Sequence, residues 1–244
     1  MNVARSAISS IASIHGQPAG QHWLVRRFLK ASFNKRPALP RYTTTWDPDT
    51  VLKYIEDMGD NKKLTLMLLS QKLMMLLLLQ SGARMQTIEA FNVMEMDVTR
   101  TEATFKFSKL LKTSKTGHHL THITFKSFPH NKNLCVHKTL THYLKRTLDI
   151  RGKIHQLLLT TTLPTKPATR DTLRRWTKTI MAEAGIDTNK YLPHSTRSAA
   201  TSKAKKFMSI DKIIEHVGWR TESTFAKYYD KEISNLEFST IIAS

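Results

Sequence analysis

A mainly helical α+β fold, with helices around a small antiparallel β-sheet, is what this sequence predicts, on three observations. Apolar residues recur at helical spacing between recognisable caps through most of the chain. The stretch from Leu64 to Leu79 is apolar almost all round, as a central rather than a surface helix should be. Between Ala103 and Phe125 the period shortens to two, which belongs to strands.

The elements follow in order. Before Trp46, the residues Pro18, Gly20, Pro37 and Pro40 punctuate a basic segment, read as a short helical piece followed by a linker. Asp47-Pro48 supplies an N-cap and a first-turn proline, Val51, Leu52, Ile55 and Met58 keep helical spacing, and Gly59 closes that helix. The central helix runs from about Leu64 to Gln80 and stops before Ser81-Gly82, which leaves Arg84 just beyond a rigid, buried element. Ser70, Gln71 and Lys72 interrupt its apolar run, which falls short of the roughly 20 residues that span a bilayer. Lys72 and Glu89 are read as surface or capping residues.

Phe105 and Phe107 alternate with Lys106 and Ser108, Thr116-Gly117 marks a turn, and Leu120, Ile123 and Phe125 follow, so this region is a basic β-hairpin. His137 to Leu148 returns to helix, Leu157 to Leu159 reads as a short buried strand, and Leu173, Trp176 and Ile180 mark a helix closed by Gly185. Ser198 to Phe207 is helical, the chain reverses at Met208 without a glycine, and Ser209 caps Ile210 to Val217. Thr221 is the expected cap of a last helix that carries Tyr228 and Tyr229.

The 244 residues carry 38 Lys and Arg against 19 Asp and Glu, a net charge of +19, and 40% hydrophobic content. Such a chain buries a full core and seeks a polyanion. No acidic residue precedes Asp47, and none lies between Ala103 and Leu148. The bases are interleaved with Trp23, Phe28, Phe33, Phe105 and Phe107, which favours nucleic acid over a membrane surface or a disordered basic tail. The single cysteine, Cys135, excludes an internal disulfide framework and sits where a small buried hydrophobe belongs. The first twenty residues lack the continuous apolar core of a signal peptide. His118, His119, His122, His130, His137 and His142 straddle strand and helix with no ligand pair backed by Cys or carboxylate, so neither a metal nor a cofactor is expected.

Four short segments carry the chemistry: Ser81-Gly-Ala-Arg84, His194-Ser-Thr-Arg197, His216-Val-Gly-Trp219 and the pair Tyr228-Tyr229. They assemble two guanidinium groups, an imidazole, an indole donor and a phenol, the set that phosphodiester transfer through a tyrosine requires. Singly, each has a plainer reading: His194 as a helix cap, Trp219 as a core aromatic, a terminal-helix tyrosine as packing. His216 is read as structural.

In order and spacing these boxes, with Lys-Thr-Ser-Lys-Thr-Gly on the hairpin and Phe-Ala-Lys-Tyr-Tyr229 at the end, resemble the tyrosine recombinase (phage integrase) superfamily over roughly Asp47 to Glu232. Leu-Pro-Arg-Tyr-Thr-Thr-Thr-Trp46, Ala-Arg-Met-Gln-Thr-Ile88 and Gly-Trp-Arg-Thr-Glu-Ser-Thr-Phe225 resemble the recombinases of eukaryotic DIRS, Ngaro and Crypton elements. The resemblance implies the tyrosine recombinase catalytic-domain fold and a DNA breaking-rejoining enzyme of a mobile element. It implies that Arg84 and Arg197 hold the scissile phosphate, His194 acts as acid/base partner, Trp219 donates its N–H, and Lys112 or Lys115 protonates the leaving oxygen. The nucleophile is Tyr228 by phage spacing and Tyr229 by the mobile-element pattern, which is preferred. Thr87 stands where relatives often carry an acid.

The expected organisation is a remnant of a helical core-binding domain plus linker over 1–46, a catalytic domain over 47–232, and a tail over 233–244 docking on a neighbouring protomer. The implied partner is double-stranded DNA bound by a homo-tetramer, with no membrane, and the implied location is nuclear. The alternative is a catalytically inactive or domesticated DNA-binding protein derived from such a recombinase.

Overall fold

The computed structural model describes residues 2–36, 43–111, 114, 116, 119–219, 222, 225–226 and 229–233. The chain divides into two compact units, residues 1–41 and 42–244.

In the smaller unit, α1 (Asn2–Ile11) and α2 (Trp23–Lys35) are joined by a minimal hairpin of β1 (Ser13–Ile14) and β2 (Gln17–Pro18) and a 3-10 turn at Ala19–Gln21. The segment before Trp46 is therefore more than a short helix and a linker. His15 and Gly16, both at positive φ, form the tight two-residue loop that reverses the chain between the helices. Gly20 lies so close to α1 that a Cβ there would stand 2.9 Å from Arg5 Cγ.

The larger unit opens with β3 (Thr44–Thr45) and α3 (Pro48–Asp57), whose N-cap Asp47 accepts from the Asp49 amide. Its axis is α4 (Leu66–Ser81), capped by Thr65 and ended by Gly82 in the left-handed region. Most residues of α4 are buried, and α5 (Met85–Glu89), α6 (Val136–Arg151), α7 (Arg170–Glu183) and α8 (Ser195–Ala204) all pack on it. This is the central helix the apolar run predicts, and it carries the main hydrophobic cluster.

The sheet has the order β4–β5–β6, antiparallel throughout: β4 (Met96–Val98), β5 (Glu102–Lys106) and β6 (His122–Lys126). Ala103 and Phe105 on β5 and Ile123 and Phe125 on β6 are buried and alternate with more exposed neighbours, the period of two read from the sequence. Phe91 anchors this sheet to the core, its ring stacked 4.0 Å from that of Phe105. Cys135 is buried, and its sulfur also caps α6 by accepting from the Lys138 amide. Leu157 to Leu159 is buried as expected but is not a strand; only an isolated bridge joins Leu159 to Pro167. Arg151 organises this stretch instead, donating to the carbonyls of Gln156 and Leu157 at 2.6 and 3.0 Å, so the backbone is satisfied without a ladder. The chain then forms α9 (Ile210–Val217) and β7 (Glu232–Ile233). Ser209 occupies the N-cap of α9 but makes no side-chain cap bond, and Thr221 lies outside the described residues.

Lys72 corrects the sequence reading. It is not on the surface: it is 0% exposed, and its Nζ donates to the Gly59 carbonyl at 3.1 Å, so only the capping half of the expectation holds. Burial pushes its ammonium from 10.5 down to about 8, against the attraction of Asp60. Between those values the unfolded chain keeps a proton that the folded chain has released, so this group makes stability rise with pH over that window. Lys72→Met is expected to fold and to lose that rise, on the order of 1–3 kcal/mol, in urea titrations run from pH 7 to 10. Glu89 is partly exposed and pairs with Arg170 at 2.6 Å.

Candidate nucleic-acid site

The site is assembled where α4, α8 and α9 end or begin. Left-handed Gly82 turns the chain out of α4 in a space where a Cβ would stand 3.1 Å from Val217 Cγ2 and 3.4 Å from Thr201 Cγ2. That approach brings the following residue pair, Ala83 and Arg84, to the start of α5, where Arg84 is the N-cap and half-buried. His194 is the N-cap residue of α8 and is exposed; it makes no side-chain cap bond, so the plain capping role is not what holds it. Arg197, one turn into α8, is only 4% exposed.

Left-handed Gly218 ends α9 and delivers Trp219, 3% exposed, over Arg197: the guanidinium carbon lies 4.7 Å from the indole centroid. Tyr229 completes the stack. Its ring lies 4.7 Å from that of Trp219 at an interplanar angle of 26°, and 5.3 Å from the Arg197 guanidinium. The Tyr229 carbonyl accepts from Ser198 Oγ at 3.2 Å and Ser202 Oγ at 2.8 Å, so one face of α8 holds the tyrosine's backbone while Arg197 holds its ring. These aromatics rest on a small cluster of their own, with Ile213, Val217 and Phe225, separate from the main core. His216 donates its ring Nε2–H to the Gln80 carbonyl at 3.3 Å, tying α9 to α4 as a structural residue would.

The electrostatics are those of a site awaiting an anion. Among the described residues, Arg197 Nε and Trp219 Nε1 are both buried without a hydrogen-bond partner, and Arg197 Nη2 reaches the Val217 carbonyl at 3.5 Å. A buried donor left unsatisfied costs about 1–3 kcal/mol, so two side by side are an exception that asks for an explanation. Burial, and then the positive charge of Arg84, push the Arg197 guanidinium from 12.5 down to about 9, with Tyr229 acting the other way. Among the described residues no carboxylate pairs with Arg84 or Arg197. An oxyanion seated between the arginines would satisfy both donors and relieve the repulsion.

Arg84, Arg197, Trp219 and Tyr229 are thus brought into one neighbourhood, with His194 one turn away from Arg197. Lys112, Lys115 and Tyr228 lie outside the described residues. Of the described residues between β5 and β6, Ser114 accepts at its Oγ from the Leu111 amide at 2.9 Å and lies 2.6 Å from His119 Nδ1. Ser198 and Ser202 were missed from sequence, although their i,i+4 spacing after Arg197 places them on one helix face.

Among the described residues no helix is long and apolar enough to cross a membrane. No curated protein sequence matches the chain. Solved structures that resemble it include the XerA recombinase, at 17% identity and a TM-score of 0.56 over 90% of this chain and 70% of that one. The XerH site-specific recombinase bound to its difH substrate is similar at 14% identity and 0.57, over 83% of this chain and 53% of that one. The Tn1549 transposon integrase in complex with transposon right end DNA is similar at 13% and 0.54, over 99% and 76%. The chain thus spans between about half and three quarters of the length of these relatives. They share with it the fold of the tyrosine recombinase catalytic domain. The phage integrase family profile matches residues 52–234, most of the larger unit, and the chain belongs to that family.

Proposed function

We propose that this chain is a DNA breaking-rejoining recombinase of a mobile element, related to those of DIRS, Ngaro and Crypton elements, acting in the nucleus as a homo-tetramer on double-stranded DNA. The observation that carries the reading is the pair of buried donors on Arg197 and Trp219, unpartnered among the described residues, beside Tyr229 and under the field of Arg84. That arrangement suits the growing negative charge of a phosphodiester under attack.

The Tyr229 phenol gives up its proton, with His194 as acid/base partner, and its oxygen attacks phosphorus. The bond from phosphorus to the 5′-oxygen breaks, leaving a 3′-phosphotyrosine and a 5′-hydroxyl whose proton comes from Lys112 or Lys115. One phosphoester replaces another, so neither ATP nor a metal is needed to drive the exchange. Tyr229 is favoured over Tyr228 because its ring lies in the Trp219–Arg197 stack. The net charge of +19 supports strong, salt-sensitive backbone binding. The first 46 residues serve as part of a DNA-gripping domain, and the apolar tail with Leu236, Phe238, Ile241 and Ile242 docks on a neighbouring protomer.

A nicked suicide duplex taken from the element's termini tests this. Wild-type protein is expected to form an adduct that survives denaturation, Tyr229→Phe to abolish it, and Tyr228→Phe to retain it. Tight binding with no adduct from the wild type would replace this reading with the non-catalytic one.

A further inference from the structure

The chain enters the larger unit through Thr44, Thr45 and Trp46, and these three residues are tied to both sides of the site. Trp46 is 3% exposed and donates its indole N–H to Ser195 Oγ at 2.8 Å, in a fully buried contact. Ser195 stands between His194 and Arg197 in the first turn of α8. Thr44 Oγ1 shares a hydrogen bond of 3.0 Å with the Tyr191 hydroxyl, three residues before His194. On the other side, β3 pairs in parallel with β7, Thr44 opposite Glu232 and Thr45 opposite Ile233, only a few residues after Tyr229. Both strands also lie against α8.

A two-residue parallel pair has little stability of its own, because so few ladder bonds oppose the cost of ordering it. Something must hold β3 in place, and the buried Trp46–Ser195 bond, beside the half-buried Thr44–Tyr191 bond, does so from within the same segment. The stretch from Tyr229 to Ile233 is then gripped twice: by Ser198 and Ser202 of α8 at the Tyr229 carbonyl, with the Lys231 amide donating to Ser202 Oγ at 3.1 Å, and by β3 beyond it.

We infer that Trp46 is a positioning residue for the reaction: through Ser195 it fixes β3, and through β7 it fixes the register of the tyrosine segment against Arg197. The inference rests on the recombinase reading for its kinetic consequence but on the β3–β7 geometry for its structural one.

The test uses the full chain with Trp46→Phe, which keeps an aromatic ring and removes the donor, Ser195→Ala, which removes the acceptor, and the double variant. At saturating suicide duplex, each single variant is expected to form the adduct about tenfold more slowly, in line with the cost of a sub-ångström misplacement, with DNA affinity within about twofold of wild type. The double variant is expected to be no slower than either single one, since both remove one bond. In the DNA-free protein, amide exchange of Tyr229, Glu232 and Ile233 should quicken selectively in all three variants. Unchanged adduct rates, or losses that track a uniform fall in stability or in binding, would overturn the inference and leave Trp46 as packing. If the wild type forms no adduct on any duplex, the recombinase reading falls, and the exchange measurement still decides: selective loss of protection at 229–233 upholds the latch, and a uniform or absent change removes it.

Discussion

Arg197→Lys is expected to slow covalent adduct formation by about 10²–10³-fold at neutral pH, with a much smaller change in DNA affinity. The substitution keeps a positive charge, so charge alone is not the reason. The Arg197 guanidinium is flat and lies against the faces of Trp219 and Tyr229, and its forked donors are able to meet two phosphate oxygens at once, as the proposed reaction requires. An ammonium is a compact point charge, more strongly hydrated, and the same burial penalises it more heavily. The loss falls on the step in which charge grows on the phosphate, and single-turnover kinetics on the suicide duplex read it directly. Arg197→Met should abolish the reaction and yet stabilise the DNA-free protein, by on the order of 1 kcal/mol or more in urea titrations. It removes a buried cation that has no carboxylate partner among the described residues, and the thioether can still lie against the indole. Destabilisation by Arg197→Met would mean that the buried guanidinium serves the fold rather than the phosphate.

The second large effect is on the fold. Phe105→Ala is expected to cost about 3–5 kcal/mol, read as a lower urea midpoint at unchanged slope. Phe105 is fully buried, stacks at 4.0 Å on Phe91, and meets Phe125 edge to face at 6.2 Å, so its removal empties the junction between sheet and core. The same strand leads into the loop that carries Lys112 and Lys115, so a milder substitution, Phe105→Leu, should retain folding and expose any cost to the chemistry alone.

How legible these features were depended on the range of the interaction behind them. The Asp47-Pro48 start of α3, the central α4 and the alternation of β5 and β6 rest on local spacing and local caps, and the chain displays both directly. Lys72 misled because a lysine beside an apolar run is usually solvated. Here α6 and the Gly59 turn close over it, and only the packed helices show that. Leu157 to Leu159 has strand composition, but Arg151 at the end of α6 reaches forward to the carbonyls of Gln156 and Leu157, and no local pattern announces that competition. The His15-Gly16 reversal joins two helices where one short helical piece was expected, because glycine signals a turn without saying what the turn connects.

The sequence by itself determined most of the element types in the larger unit, the basic character and the order of the boxes that end in Tyr229, since these depend on residue chemistry and on spacing along the chain. Only the tertiary structure decided that Arg197, Trp219 and Tyr229 form one stack with two donors unmet among the described residues, that Gly82 is pressed against Val217 and Thr201, and that β3 zips to β7. Each of these joins residues far apart in sequence, and such contacts are chosen by the packing of the whole core rather than by any preference a short window of sequence can express.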